Sequence, residues 1–310
     1  MYEQIARNKR RSVLYVGLFI VVWLGAGALV GWLAAVSGNV DAPVGNDVVL
    51  GITVAAMIAA LGIVVSFLSG QRLILAVTGA HEADPVQYAQ LRHLVEALAL
   101  GDGVPTPAVY VIDDPSPNAF ATGFSPAHAS ITVTTGLLTL MDREELEGVI
   151  GHELSHIKNY DTRLLLIVTT LVGMAGLIAS ILWRNALLIR GRGRDGGQFT
   201  VIVIAAGLVF GAIAVLFGPL IRLALSRRRE SLADASSVEL TRNPVGLLRA
   251  LRALQADEQP LARTNHATAA MFINNPLHGR EGFYSHLFDT HPPLEERIAV
   301  LEGMAHGLTV

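Results

Sequence analysis

Asp142-Arg-Glu-Glu-Leu-Glu-Gly-Val-Ile-Gly-His-Glu-Leu-Ser-His-Ile-Lys-Asn-Tyr160 is the stretch on which the reading of this chain turns. Asp142 stands where a helix N-cap belongs, and Glu145 follows three residues later, the acidic form of a capping box. Apolar Val149, Ile150 and Leu154 give the predicted helix a packing face. His152 and His156 lie four residues apart, so both imidazoles project from one face and can share a tetrahedral zinc ion. Glu153, beside the first of them, is placed to take a proton from a water that zinc has acidified. Taken alone, the five residues also fit a pair of surface histidines on an amphipathic helix.

On either side of this helix the chain turns apolar. Val13–Val36, Val48–Ser69, Leu164–Trp183 and Phe199–Ile221 are long and free of charge, each near the roughly 20 residues that a helix needs to cross a hydrocarbon core. Of the 310 residues 52% are hydrophobic and 16% charged, and the mean hydropathy is +0.48. Soluble domains carry about 25% charged residues, so this is a membrane composition. The first stretch is too long for a cleavable signal peptide and lacks its small-residue cleavage pattern. The formal net charge of −3 argues against nucleic-acid binding, and with no cysteine the candidate metal ligands are His and carboxylates.

Arg7, Lys9, Arg10 and Arg11 precede the first stretch, whereas Ser37–Asp47 has no Lys or Arg. The asymmetry places the N-terminus in the cytoplasm. Four crossings then place His81–Arg163 and the tail there too. Arg184, Arg190, Arg192 and Arg194 oppose this, since an external loop should not be so basic. The third and fourth stretches are therefore either full crossings or a hairpin that does not cross fully. The expected division is an anchor over 1–70, a first catalytic part over 71–163, a membrane hairpin over 164–225 and a second catalytic part over 226–310. In 71–163 the sequence predicts a helix from Asp84-Pro85 to Gly101, with strands at Ala108–Ile112, Ala119–Thr122 and Ser130–Thr134.

A catalytic zinc needs a third protein ligand and an open position. Glu230, in Ser226-Arg-Arg-Arg-Glu-Ser-Leu-Ala-Asp234, is the best candidate. Asp234, one helical turn on, is placed to accept the outer ring N–H of a ligand histidine. The plainer reading is a solvated helix face just beyond a membrane span. Two apolar stretches separate His156 from Glu230, an even number, so both can reach one side of the membrane. Asp142, Arg143, Glu144, Glu145 and Glu147 hold the histidine helix outside the hydrocarbon, unlike an intramembrane-cleaving site.

Pro117-Asn-Ala-Phe-Ala-Thr-Gly123, Ile131-Thr-Val-Thr-Thr-Gly-Leu-Leu138, the His-Glu-Leu-Ser-His helix, Ser226–Asp234 and Thr290-His-Pro-Pro-Leu-Glu-Glu-Arg-Ile298 together resemble the HtpX-like membrane zinc metalloproteases. The related prenyl-protein proteases share these motifs but are longer. The resemblance implies a gluzincin-type site, with His152, His156 and Glu230 on one zinc and Glu153 as general base. It implies cytoplasmic cleavage of misfolded or damaged membrane proteins in the plasma (inner) membrane of a bacterium or archaeon. The expected fold is an α+β membrane protein: four hydrophobic helices plus a cytoplasmic zincin-like peptidase domain with a short sheet.

His291 holds a motif position in that family, where an imidazole can stabilise an oxyanion; a helix-start histidine is the equal alternative. Asn118, Ala119, Phe120, Ala121 and Thr122 form a strand that either binds extended substrate along its edge or only supports the helix. Arg227, Arg228 and Arg229 read most simply as the basic flank of the fourth stretch, with a role near substrate the weaker alternative. The rival from another class is a membrane scaffold or transporter with an incidental or regulatory histidine pair. Charge-free spans, with Pro219 the only proline in them, count against transport.

Overall fold

The computed structural model describes residues 2–37, 44–189, 200, 202–213, 215, 227–257, 259–262, 271–274 and 294–307. The chain forms two compact units. One comprises Arg10–Ser69 and Ile167–Leu220; the other comprises Met1–Lys9, Gly70–Leu166 and Ile221–Val310.

The first unit takes residues 10–37 of α1 (Tyr2–Ser37), 44–69 of α2 (Val44–Thr78), 167–189 of α6 (Asp161–Ile189) and all of α7 (Ile202–Ile213). Asn8–Val36, Val44–Thr78 and Asp161–Ala186 are long and apolar enough to cross a membrane. They contain the first three expected stretches. Of the fourth expected stretch the described residues are 200, 202–213 and 215, with α7 among them; its other residues lie outside the described residues. Among the described residues three helices meet the length a crossing requires. α1 and α2 approach backbone to backbone, for a Cβ on Gly27 would stand 2.5 Å from the Gly51 carbonyl oxygen. Small residues permit such contact, which is what packs helices whose apolar side chains find lipid as comfortable as protein. Val13, Leu14 and Val21 are exposed on α1, and Phe19 and Trp23 are buried.

The second unit wraps helices around α5 (Arg143–Lys158). A four-stranded sheet lies to one side: β1 (His81–Glu82), β2 (Ala108–Ile112), β3 (Ala119–Gly123) and β4 (Ala129–Thr134), in the order β1-β2-β4-β3. β2 and β4 are parallel, and β3 is an antiparallel edge strand. Every residue of β4 is buried, as expected of a central strand covered on both faces. On the other side pack α8 (Arg227–Thr241), α9 (Pro244–Ala256) and α10 (Leu294–Ala305). α3 (Ala89–Asp102) and the short α4 (Thr135–Leu140) complete the unit. Val149, Ile150, Leu154 and Ile157 of α5 share one core with Ile131, Leu247 and Leu301. α5 and α9 touch through backbone: a Cβ on Gly148 would lie 2.7 Å from Leu247 Cα.

The three predicted strands are present with at most one residue added at an end. The predicted helix start at Asp84-Pro85 is not. Asp84 Oδ1 accepts from the N–H groups of Val86 and Gln87 at 2.8 Å, closing a turn, and α3 begins at Ala89. An Asp before a turn and an Asp before a helix offer the same carboxylate to the same backbone donors, so sequence alone confuses them. α3 ends against Gly103, whose φ of +71° suits glycine.

Candidate metal centre

The capping box read from the sequence is formed. Glu145 N–H donates to Asp142 Oδ1, and Asp142 N–H donates to Glu145 Oε2, both at 2.9 Å. α5 therefore starts at a fixed residue, and its one-turn spacing brings His152 and His156 to a common face. Their rings lie edge to face, 4.7 Å between centroids, with the two Nε2 atoms 3.1 Å apart. Glu230 of α8 faces both, its Oε2 3.6 Å from His152 Nε2 and its Oε1 3.6 Å from His156 Nε2. All three side chains are buried, and one ligand atom from each lies within 4.8 Å of the others.

A tetrahedral ion with bonds of 2.0–2.1 Å holds its ligand atoms about 3.3 Å apart. Separations of 3.1–3.6 Å between two imidazole nitrogens and a carboxylate therefore fit one metal ion. Glu153 is 3% exposed and, with His156, Ala121, Asp161, Thr162, Leu165 and Met271, lines a pocket beside this cluster.

The outer nitrogens are also held. His152 Nδ1 lies 2.9 Å from Asp234 Oδ1, as expected for Asp234. His156 Nδ1 lies 3.2 Å from Asp161 Oδ2, a partner the sequence reading missed. Each carboxylate accepts the ring N–H and so turns the other nitrogen, with its lone pair, toward the common point. Behind Asp234 stands buried Arg297 of α10, which also lies 3.9 Å from Glu230 Oε2. Burial and the Arg297 charge push the His152 imidazole pKa down, but hydrogen bonds to Asp234 and Glu230 more than offset both and hold it at about 9. Asp234 moves oppositely: burial would raise it, and the Arg297 charge with the His152 hydrogen bond holds it at about 2.

Arg229 is corrected by the structure. It is 4% exposed, and its Nη1 donates to Asp161 Oδ1 at 3.1 Å, so it is a buried partner of the centre and not a plain basic flank. The side chains of Arg227 and Arg228, and all of His291, lie outside the described residues. Arg297 was within the Thr290–Ile298 motif, yet nothing in its spacing tied it to His152. For Asp161 the only sequence signal was a lone carboxylate just past the end of the histidine helix.

Asn118 and β3 run alongside α5. Ala119 O accepts from Ile273 N–H at 3.0 Å, Asn118 exchanges hydrogen bonds with the Asn274 backbone, and Phe272 packs edge-on against Phe120 with centroids 4.8 Å apart. One end of the β3 edge is thus covered by the chain itself, while Ala121 lines the pocket beside Glu153.

The sequence model of peptidase family M48 matches residues 85–305. A protease HtpX homolog of Lactobacillus helveticus (strain DPC 4571) is 42% identical over 313 residues, covering 98% of this chain and all of the relative. One of Streptococcus thermophilus (strain ATCC BAA-250 / LMG 18311) is 40% identical over 317 residues with the same coverage. A crystal structure of S. mikatae Ste24p overlaps 79% of this chain and 57% of that one at TM-score 0.46 and 18% identity. Full-length relatives named as proteases do not favour the scaffold or transporter reading. With the family matched across most of its length and membrane-length helices on both sides of the histidine helix, the chain belongs to peptidase family M48 and is a membrane metalloprotease.

Proposed function

We propose that the protein is a zinc endopeptidase that cleaves misfolded or damaged membrane proteins on the cytoplasmic side of a bacterial inner membrane. The observation that carries this is the convergence of His152, His156 and Glu230 beside the pocket that Glu153 lines. His152, His156 and Glu230 hold one zinc ion, and Asp234 and Asp161 orient the two imidazoles. When bound, zinc supplies an acidified water and a Lewis acid for the scissile carbonyl.

Glu153 accepts the proton that the attacking water loses and returns it to the leaving amine. Its burial beside apolar Leu165 and Met271 keeps bulk water from competing for that proton. The outward backbone edge of β3, at Ala121 next to the pocket, holds an extended substrate by main-chain hydrogen bonds. Recognition of backbone imposes little sequence preference, which suits a protease acting on damaged chains of any sequence. The basic residues ahead of the first span support the cytoplasmic side, as does the contact of Asn8 with Asp161, which ties the N-terminal segment to the catalytic unit.

The test is zinc content and casein proteolysis of the detergent-purified protein beside Glu153→Gln. About one zinc per chain in both, with cleavage at least about 100-fold lower in the variant, is the expected result. No zinc in either protein after zinc-replete purification would sink the reading.

A further inference from the structure

Asn8 precedes the first apolar stretch, a place that sequence gives only to a membrane anchor's flank. Its side chain is nevertheless 1% exposed. Asn8 Nδ2 donates to Asp161 Oδ1 at 2.7 Å and to Asn159 O at 2.9 Å, across more than 150 residues of chain. The next residue, Lys9, lies with Nζ 4.5 Å above the ring centroid of Tyr160. Asn8 and Lys9 thus hold three consecutive residues, Asn159, Tyr160 and Asp161, which link α5 to α6.

That link is unusual. Tyr160 has φ +61°, the left-handed region that bulky side chains rarely adopt. Such conformations persist where surrounding contacts over-determine them. The turn aims Asp161 back at α5, where Oδ2 meets His156 Nδ1 at 3.2 Å. Oδ1 receives Asn8 from one chain segment and Arg229 from another.

We propose that Asn8 is a positioning residue of the metal centre. It acts on His156 through Asp161 and touches no substrate. With Oδ1 held by two donors, Asp161 cannot turn about its terminal torsion, which is otherwise broad, and Oδ2 stays on the His156 ring N–H. The N-terminal end of α1 is therefore part of the catalytic apparatus as well as a tether. This inference rests on His156 being a zinc ligand.

The test uses the full-length protein in detergent, with Asn8→Ala and Asn8→Asp. Asn8→Asp keeps the side chain's shape but sets a carboxylate against Asp161 in place of the donor. The readouts are the zinc dissociation constant by chelator competition, kcat and KM on a casein peptide, and the unfolding temperature without metal. Zinc affinity should weaken about tenfold in both, more in Asn8→Asp, with kcat lowered and KM unchanged, and with the metal-free unfolding temperature lowered because buried Asp161 loses a donor. Parent-like zinc affinity in Asn8→Asp overturns the proposal, even where Asn8→Ala fails to fold. A lowered unfolding temperature with unchanged zinc affinity and kcat also overturns it, leaving Asn8 a packing residue. A parent that itself binds no zinc defeats the metal-centre reading, which keeps the two failures apart.

Discussion

Arg297 grips both carboxylate oxygens of Asp234, Nε to Oδ2 at 3.0 Å and Nη2 to Oδ1 at 2.7 Å, while the same Oδ1 lies 2.9 Å from His152 Nδ1. All three side chains are buried. Removing one member of a buried pair leaves an uncompensated charge, at about 3–5 kcal/mol. Arg297→Met should therefore lower stability by about 3 kcal/mol and weaken zinc binding about tenfold. Denaturant unfolding and chelator competition check this; a variant as stable as the parent would show that the fork does not brace the centre.

Asp234 and Asp161 each face the Nδ1 of a different histidine. Asp234→Asn and Asp161→Asn should each weaken zinc binding by about 10- to 100-fold and also lower stability by about 3–5 kcal/mol, because buried Arg297 or Arg229 loses its carboxylate partner. Chelator competition on each variant measures it. Parent-like affinity in Asp161→Asn would remove that residue from the centre.

Gly148 is where α5 meets α9, with Leu247 backbone atoms 2.7 Å from where a Cβ would sit. The obstacle is main chain, which cannot rotate aside. Gly148→Ala should force the helices apart and lower stability by about 1–3 kcal/mol despite alanine's better helix propensity. Thermal unfolding decides the sign, and a stabilised variant would contradict the packing.

Zinc should stabilise the fold by binding it and not the unfolded chain. At 100 times its dissociation constant the gain is about 2.7 kcal/mol. Unfolding temperature should rise with added zinc in the parent and equally in Glu153→Gln, and fall on chelation. A zinc-insensitive transition in a Glu153→Gln preparation that holds zinc would contradict the assignment.

What the sequence determined was local. The four-residue spacing of His152 and His156, the neighbouring Glu153 and the Asp142–Glu145 box all follow from one helical period, and the strands follow from short β-branched runs between turn residues. The apolar stretches 13–36, 48–69 and 164–183 were legible because spanning length is a one-dimensional property. Glu230 and Asp234 were legible as candidates, since they stand one turn apart on a helix and a His pair calls for both roles. Only the tertiary structure decided that α8 turns that face to α5, so that Glu230 meets both Nε2 atoms. It alone brought Arg297, Arg229, Asp161 and Asn8 in behind the histidines. Their partners are fixed by how helices pack around α5, and residues 145 and 153 positions apart leave no periodicity between them to read.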